Sequence, residues 1–358
     1  MRARWGLLTL VLLGAAWAGP AHARPDDRLA RFRELAREYS RVSEGGDAAT
    51  GPRVLGELYA LADSEILENL RSGGPFASVA FIQERLDAFT AAWGGATFSV
   101  RRVQRVGRGG PLTLGVFAVG GPEPRGSLRV YGGSERSASL LTAIIQDATP
   151  EIHPWPPARD GALQVVVSWL GASAGGERWP LAVELWRQGG PGGLARTWAS
   201  TEAVGHELWV SAFGVKDGQL LLRYDLRYPG WKPGCAGQTE QEDIYRQAPG
   251  ADTLVLARRR VLNGWHRELQ ATVTRFFAAL AEDDGRRLAQ LVPDRALRAR
   301  LPRDLHPEPA CEERSRDAPG TAIVAATEER DQRLAPWSLW WSRGPHGWRL
   351  ARAEPVLQ

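Results

Sequence analysis

The nine residues LLLRYDLRY, at positions 220–228, form the clearest strand pattern in the chain. Apolar or aromatic side chains at even positions alternate with Leu221, Arg223, Asp225 and Arg227. A period of two is typical of a strand that has one buried and one more polar face. Because the turn residues Lys216-Asp217-Gly218 come directly before it, residues 208–213 are predicted to be the other arm of a hairpin.

Similar runs continue on both sides of this hairpin, with joints that are rich in Gly and Pro. The predicted strands are 112–119, 127–131, 140–145, 163–170, 181–186 and 254–261. No pattern of helical length separates them, so the sheet is expected to be antiparallel. We predict an antiparallel β domain over residues 95–263, built as a sandwich or as a small propeller-like meander. The lack of a fixed-period repeat favours the sandwich.

The region before the β domain has a helical period. Its third helix places Val79, Ile82, Leu86, Phe89 and Trp93 on one face, at spacings of three and four residues. Glycines at 45–46 and 73–74 separate three such segments. We predict a helical bundle over residues 24–94, with this apolar stripe packed in the core.

Residues 1–23 resemble a secretory signal peptide. Arg2 and Arg4 precede a leucine-rich stretch, and Ala21-His22-Ala23 predicts cleavage before Arg24. The alternative is a retained membrane anchor, but the apolar run is short for a span of about 20 residues. We expect a periplasmic or secreted protein with no membrane span once the signal is removed.

Composition and charge argue against one class of partner. The chain has 358 residues, of which 43% are hydrophobic and 24% are charged, as in ordinary folded proteins. Loss of the two signal arginines lowers the formal net charge of +4 by two. Basic runs such as 258–260 are short and isolated, whereas nucleic-acid binding requires a clustered basic face. Nucleic acid is therefore not an expected partner.

The chain contains two cysteines, Cys235 and Cys311. In an exported chain with no other thiols, a disulfide between them is the simplest outcome. Two free thiols or a metal site are the alternatives. Neither cysteine has a second cysteine or a histidine at ligand spacing, so no metal is predicted.

The last segment changes character again. It has an amphipathic helix with the sequence VTRFFAALAEDD at 273–284, then LAQLVP at 288–293, and strands at 321–327, 337–342 and 348–353. This order resembles the NTF2-like (SnoaL-like) superfamily, which implies a helix packed into a curved sheet that forms a conical pocket. We therefore predict an NTF2-like domain over 264–358. The segment departs from the usual pattern of this superfamily in two ways: it shows fewer strands, and it contains a Pro-rich, charged loop at 302–319.

The superfamily that this segment resembles includes both enzymes and purely associative domains. An isomerase site of this family would need a general base and an oxyanion donor such as tyrosine. No tyrosine follows Tyr245. The titratable candidates in the segment are Asp294, His306 and His346, of which Asp294 and His346 are explained by a helix cap and a turn. No catalytic residue and no cofactor are predicted.

Two stretches stand out as candidate binding surfaces. In residues 149–157, prolines flank His153 and Trp155, which indicates either a surface recognition element or a stiff connection between strands. In residues 228–245, Trp231 and the acidic run Glu240, Glu242 and Asp243 precede Tyr245. The acidic residues are predicted to lie on a solvated turn, although they could bind a hard cation or act as a carboxylate pair.

These observations lead to one hypothesis and one alternative. We predict a non-enzymatic binding or scaffolding protein of the bacterial envelope, whose partner is an envelope protein, a peptide or a glycan. The alternative is a small-molecule enzyme, of isomerase or hydrolase type, that uses the C-terminal pocket or the acidic loop at 238–245.

Overall fold

A computed structural model describes most of the chain after the signal-like segment. The described residues are 25–45, 50–93, 96–103, 112–119, 124–133, 135–172, 178–189, 193–232, 234–248, 250–314, 320–330 and 333–356. The predicted signal peptide and its cleavage site lie outside these residues. Within them, no helix combines the length and the apolar character that crossing a membrane requires.

Three helices form the N-terminal region, as the sequence predicts. They are α1 (Pro25–Gly45), α2 (Thr50–Ser72) and α3 (Val79–Ala92). Ser78 begins α3 as an N-cap, because its hydroxyl accepts a hydrogen bond from the Phe81 N–H. The predicted stripe on α3 points inward, with Ile82, Leu86 and Phe89 buried.

A four-stranded antiparallel sheet follows the helices in the order β1-β2-β3-β4. Its strands are β1 (Ala96–Val103), β2 (Leu112–Val119), β3 (Arg125–Gly132) and β4 (Ser139–Gln146). The two faces of this sheet pack in different hydrophobic cores. Phe117 and Tyr131 pack with the helices, whereas Leu114 and Leu128 pack with the next sheet. The helices, the first sheet and the second sheet therefore form three successive layers.

The second sheet is also antiparallel and has eight strands. They are β5 (Thr149–Pro154), β6 (Gln164–Leu170), β7 (Trp179–Gln188), β8 (Leu194–Ala199), β9 (Leu208–Lys216), β10 (Gln219–Asp225), β11 (Glu240–Gln247) and β12 (Leu254–Leu262). A short helix, α4 (Ser200–Val204), joins β8 to β9. The path runs β12-β11-β10-β9-β7-β6-β5, with β8 paired to β7.

The C-terminal part mixes helices with a five-stranded antiparallel sheet. Its elements are α5 (Gly264–Ala281), α6 (Gly285–Leu291), α7 (Arg295–Arg300), β13 (Leu305–Pro307), β14 (Glu313–Arg314), β15 (Thr321–Arg330), β16 (Arg333–Gly344) and β17 (Gly347–Pro355). Phe276 of α5 packs edge-on against Trp341 of β16, at 5.4 Å between ring centroids. Asp294 caps α7, as the sequence predicts.

Three segments differ from their sequence-based interpretation. Residues 240–247, expected to begin as a solvated acidic turn, are strand β11, in which Glu240 and Asp243 are buried. The proline-flanked segment is strand β5, whose prolines are tolerated because it is the last strand on one edge of the sheet. The loop at 302–319 contains the short strands β13 and β14, so the C-terminal sheet has more strands than the pattern indicated.

Candidate functional site

The disulfide predicted between Cys235 and Cys311 is present, with 5.5 Å between the two Cα atoms. Cys235 lies in the segment at 226–239, which connects β10 to β11. Cys311 lies between β13 and β14 of the C-terminal sheet. The bond therefore ties this segment, which we call the clasp loop, to the C-terminal part of the chain.

A buried polar cluster lies beside the disulfide. His266, in the first turn of α5, has its Nδ1 atom 2.6 Å from the Tyr228 hydroxyl and its Nε2 atom 2.9 Å from Glu312 Oε2. The other carboxylate oxygen of Glu312 accepts a hydrogen bond from Lys232 Nζ at 2.7 Å. Tyr228 and Lys232 belong to the clasp loop, so the cluster joins three separate parts of the chain. We call these four residues the clasp cluster.

The charge state of Glu312 determines which nitrogen of His266 carries a proton. Burial alone would raise the pKa of Glu312, but hydrogen bonds from His266 and Lys232 outweigh it and lower the pKa to about 2. An ionised carboxylate can only accept hydrogen bonds, so Nε2 of His266 carries a proton. In a neutral imidazole, Nδ1 then accepts a hydrogen bond from the Tyr228 hydroxyl, which itself accepts one from the Thr239 N–H at 3.2 Å.

This arrangement can serve two purposes. A Tyr–His–Glu chain has the connections of a general acid–base relay, in which the carboxylate orients the imidazole. It also forms a closed set of charge-assisted hydrogen bonds that fixes the clasp loop on α5. Burial raises the pKa of Tyr228, and the hydrogen bonds from Thr239 reduce this effect without cancelling it.

A second network lies under the clasp loop, on one face of strands β10 and β11. Arg178 contacts both Asp225, at 3.1 Å, and Glu240, at 2.9 Å. Glu240 also accepts hydrogen bonds from Ser211 and from Arg223 Nε, the latter at 2.7 Å. Burial raises the pKa of Asp225, and the ion pair with Arg178 only partly opposes it. Glu240 is therefore balanced by two guanidinium groups, whereas Asp225 shares one.

Aromatic side chains of the clasp loop and of strand β9 lie together at the surface. The Trp231 ring lies 6.5 Å from the Trp209 ring, with a tilt of 57° between their planes. The Arg227 guanidinium lies 5.4 Å from the centre of the Trp231 ring, and its Nη2 atom lies 3.4 Å from Glu207. Both indoles are partly exposed. We call Trp209, Arg227 and Trp231 the aromatic patch.

Asp243 and Tyr245 face the opposite side of the sheet, in its apolar core. The Asp243 carboxylate is fully buried and accepts hydrogen bonds from Arg259 through Nε and Nη2, both at 2.9 Å. It also accepts hydrogen bonds from Tyr224 at 2.9 Å and from Tyr245 at 3.2 Å. Burial, together with the nearby Asp243 charge, raises the pKa of Tyr245 to about 12. These residues form an internal polar cluster and no surface.

The acidic residues of the predicted cation site are not brought together in the fold. Glu240 and Glu242 lie on one face of β11, and Asp243 lies on the other face. The two glutamates also have separate arginine partners, since Glu242 pairs with Arg258 at 3.1 Å. Within the described ranges, no three His, Cys, Asp or Glu side chains are grouped closely enough to hold a metal ion.

The two residues of the proline-flanked segment also lie apart from the clasp loop. Trp155 is buried in the core of the second sheet. His153 is half-buried, with Nε2 at 2.8 Å from the Ser168 hydroxyl and its ring 5.0 Å from Phe213. Of the seven candidate surface residues, Trp231 is the one that joins the aromatic patch.

The sequence-based reasoning missed His266 and Glu312. Two signals could have found them. Residue 266 precedes Leu269 and Val273 by three and seven positions, which places its imidazole on the buried face of α5. A disulfide at Cys311 also brings its neighbour Glu312 close to the clasp loop and so to Lys232.

Comparison with known proteins adds no family assignment. The sequence matches no protein-family model. A search among curated proteins also finds no significant similarity, so any function has to be argued from the geometry of the chain itself.

Proposed function

We propose that this chain is an exported, non-enzymatic binding protein of the bacterial envelope, and that its aromatic patch binds a glycan. The observation that carries the proposal is the pair of partly exposed indoles, Trp209 and Trp231, set side by side with Arg227 above one of them. Arg227 and Trp231 lie on the clasp loop, which the disulfide and the clasp cluster hold in place, and Trp209 lies on the adjacent strand β9.

The chemistry of the patch suits a sugar ring. Indole faces offer flat apolar area at low conformational cost, and a sugar presents C–H groups that can pack on them. Arg227 and Glu207 supply planar hydrogen-bonding groups at the rim, which match the hydroxyl groups of a sugar. Binding residues on a loop held by a rigid scaffold are a common arrangement.

The proposed location rests on two independent features. The N-terminal segment has the charge, apolar stretch and small residues of a secretory signal. The disulfide is of the kind that persists in oxidising compartments, such as the bacterial periplasm. We infer a periplasmic or secreted protein from their combination.

We also infer the architecture of the β domain and of the C-terminal part. For the β domain we favour a sandwich, because Leu114 and Leu128 of the first sheet share a core with Val167 and Trp169 of the second. For the C-terminal part we favour an NTF2-like domain, in which α5 packs across an antiparallel sheet. Phe276, Leu339 and Trp341 fill the space between them, which suits an associative domain better than a ligand pocket.

A sedimentation assay with purified, insoluble peptidoglycan tests the proposal. The wild-type chain should sediment with the glycan, and the double variant W209A/W231A should remain in the supernatant. The matched control is W340A, because Trp340 is also a partly exposed tryptophan with a guanidinium 4.8 Å from its ring, on the C-terminal sheet. Equal retention of wild type and W209A/W231A, or no retention of either, would contradict glycan binding at the patch.

A second candidate is a small-molecule enzyme, of the isomerase or hydrolase type. The observation that favours it is the Tyr228–His266–Glu312 relay, which has the connectivity of acid–base catalysis. The same assay tests the hydrolase form of this candidate with the bound glycan as substrate: soluble fragments should appear in the supernatant, and Y228F should abolish their release. Sedimentation without any soluble product favours the binding protein.

A further inference from the structure

A groove runs between α1 and α3, far in sequence from the clasp loop. Its volume is about 480 Å³, within the range of about 300–1,000 Å³ that small-molecule sites usually have. One wall is helix α1, with Leu29, Arg33 and Arg37. The other wall is the end of helix α3, with the small residues Ala88 and Ala91 and, beyond them, Trp93.

The two arginines supply the positive charge of this groove. Arg33 and Arg37 are one helical turn apart and exposed, and neither forms an ion pair within the described part of the chain. The nearest acids on α1 are already engaged, since Glu34 pairs with Arg31 at 2.7 Å and Glu38 with Arg53 at 2.9 Å. Like charges at this spacing repel each other on a helix, so an anion between them would relieve the repulsion.

Apart from the two arginines and Ser40, the lining of both walls is apolar. Leu29, Ala36, Ala88 and Ala92 line the groove, and the Trp93 ring closes one end. Trp93 is held in place by Tyr39, at 5.5 Å between ring centroids. Covering the part of this apolar lining that remains exposed with a hydrocarbon lowers the free energy.

We propose that this groove binds a free single-chain anionic amphiphile, with its carboxylate at Arg33 and Arg37 and its alkyl chain along the alanine wall. A concave groove fits one chain better than the flat surface of a bilayer. The guanidinium groups can hold a carboxylate by charge-assisted hydrogen bonds. The site is separate from the aromatic patch, so the two proposals stand or fall independently.

Calorimetric titration of the disulfide-bonded, signal-free chain with sodium dodecanoate, below the concentration at which it forms micelles, tests this site. We expect saturable binding of one molecule per chain, which weakens severalfold with octanoate. R33E/R37E should raise the Kd at least 10-fold. A88L should weaken binding similarly, because the larger side chain fills the path of the alkyl chain.

The matched control is R286E/R295E, which makes the same change in net charge at two exposed arginines on α6 and α7. This variant should bind dodecanoate as the wild type does, and circular dichroism should show that all variants are folded. Equal losses in R33E/R37E and R286E/R295E would overturn the site. Absence of saturable heat would also overturn it, as would binding to phosphatidylglycerol vesicles without any binding of free dodecanoate.

Discussion

His266 Nε2 lies 2.9 Å from Glu312 Oε2, across 46 residues of chain, and both side chains are almost fully buried. The contact connects the first turn of α5 to the loop that carries Cys311. Lys232, on the clasp loop, bonds to the second oxygen of the same carboxylate. The buried Glu312 carboxylate therefore holds three segments of the chain together. Loss of its charge should weaken the contacts of all three.

Substitution of Glu312 by glutamine should reduce stability in a pH-dependent way. The pKa of Glu312 is about 2 in the folded chain against an ordinary value of 4.5. Because the folded-state pKa is lowered, its stabilisation is complete above about pH 5 and is lost as the pH falls toward 2. We expect E312Q to lower the free energy of unfolding by about 3 kcal/mol at pH 7. Urea unfolding of both proteins across this pH range measures the difference.

The control for this prediction is E329Q, which changes an exposed glutamate on β15. Its effect should be small at every pH, because an exposed carboxylate gains little from its surroundings. A loss in E312Q that is equally large at pH 7 and pH 3 would contradict the assignment of the effect to the Glu312 charge.

Removal of the disulfide should destabilise the chain through the unfolded state. Cys235 and Cys311 are separated by 76 positions, and closing a loop of that size contributes about 4 kcal/mol through chain entropy. We expect C235A/C311A to unfold at a lower denaturant concentration by a corresponding amount. A reducing agent should shift the wild type to the same point and leave the variant unchanged. A shift of the variant by reductant would show that the reagent acts elsewhere.

Two buried aspartates should respond differently to the same substitution. Burial would raise the pKa of Asp243, but hydrogen bonds from Arg259, Tyr224 and Gln241 outweigh it and lower the pKa. The pKa of Asp225 is raised instead. We expect D243N to cost about 3 kcal/mol, because it removes a charge on which several buried donors depend. D225N should cost less than about 1 kcal/mol, because its environment disfavours the charge.

Chemical denaturation of the two variants in parallel measures this contrast. The two sites lie on adjacent strands of the same sheet, so differences in backbone context are small. Equal losses, or a larger loss in D225N, would show that hydrogen bonding in these clusters does not follow the direction of the pKa shifts.

The sequence was sufficient to predict the elements whose buried faces are apolar. The alternation at Leu220, Leu222 and Tyr224 predicts β10, and all three side chains are buried. The α3 stripe and the disulfide were predicted for similarly direct reasons, a regular period in one case and the presence of only two cysteines in the other.

The sequence was insufficient where polar side chains fill the core. Strand β11 places Gln241, Asp243 and Tyr245 toward the core, so its period is hidden by polar residues that only their partners on other strands can satisfy. Strand β5 was hidden by its prolines. The clasp cluster depends on contacts between distant segments: helical spacing places His266 on the buried face of α5, but no local pattern predicts its partners Tyr228 and Glu312.

The contact between the first and second sheets can be tested at Gly126, on β3. A Cβ atom at this position would lie 2.2 Å from Pro150 Cδ and 2.3 Å from the Ala148 carbonyl oxygen. Both are parts of a constrained backbone region that cannot rotate away. We expect G126A to cost at least about 2 kcal/mol, because the strand would have to move away from its neighbour.

The matched control for G126A is G214A, on β9, since a Cβ at Gly214 would have nothing within 4 Å. An alanine there should be neutral or stabilise by up to about 1 kcal/mol, because it restricts the unfolded chain. Urea unfolding of both variants separates overlap from the general effect of replacing a strand glycine. Similar stabilities for G126A and G214A would mean that the sheets are not packed as closely at Pro150 as described, since overlap with a carbonyl oxygen cannot be relieved by side-chain rotation.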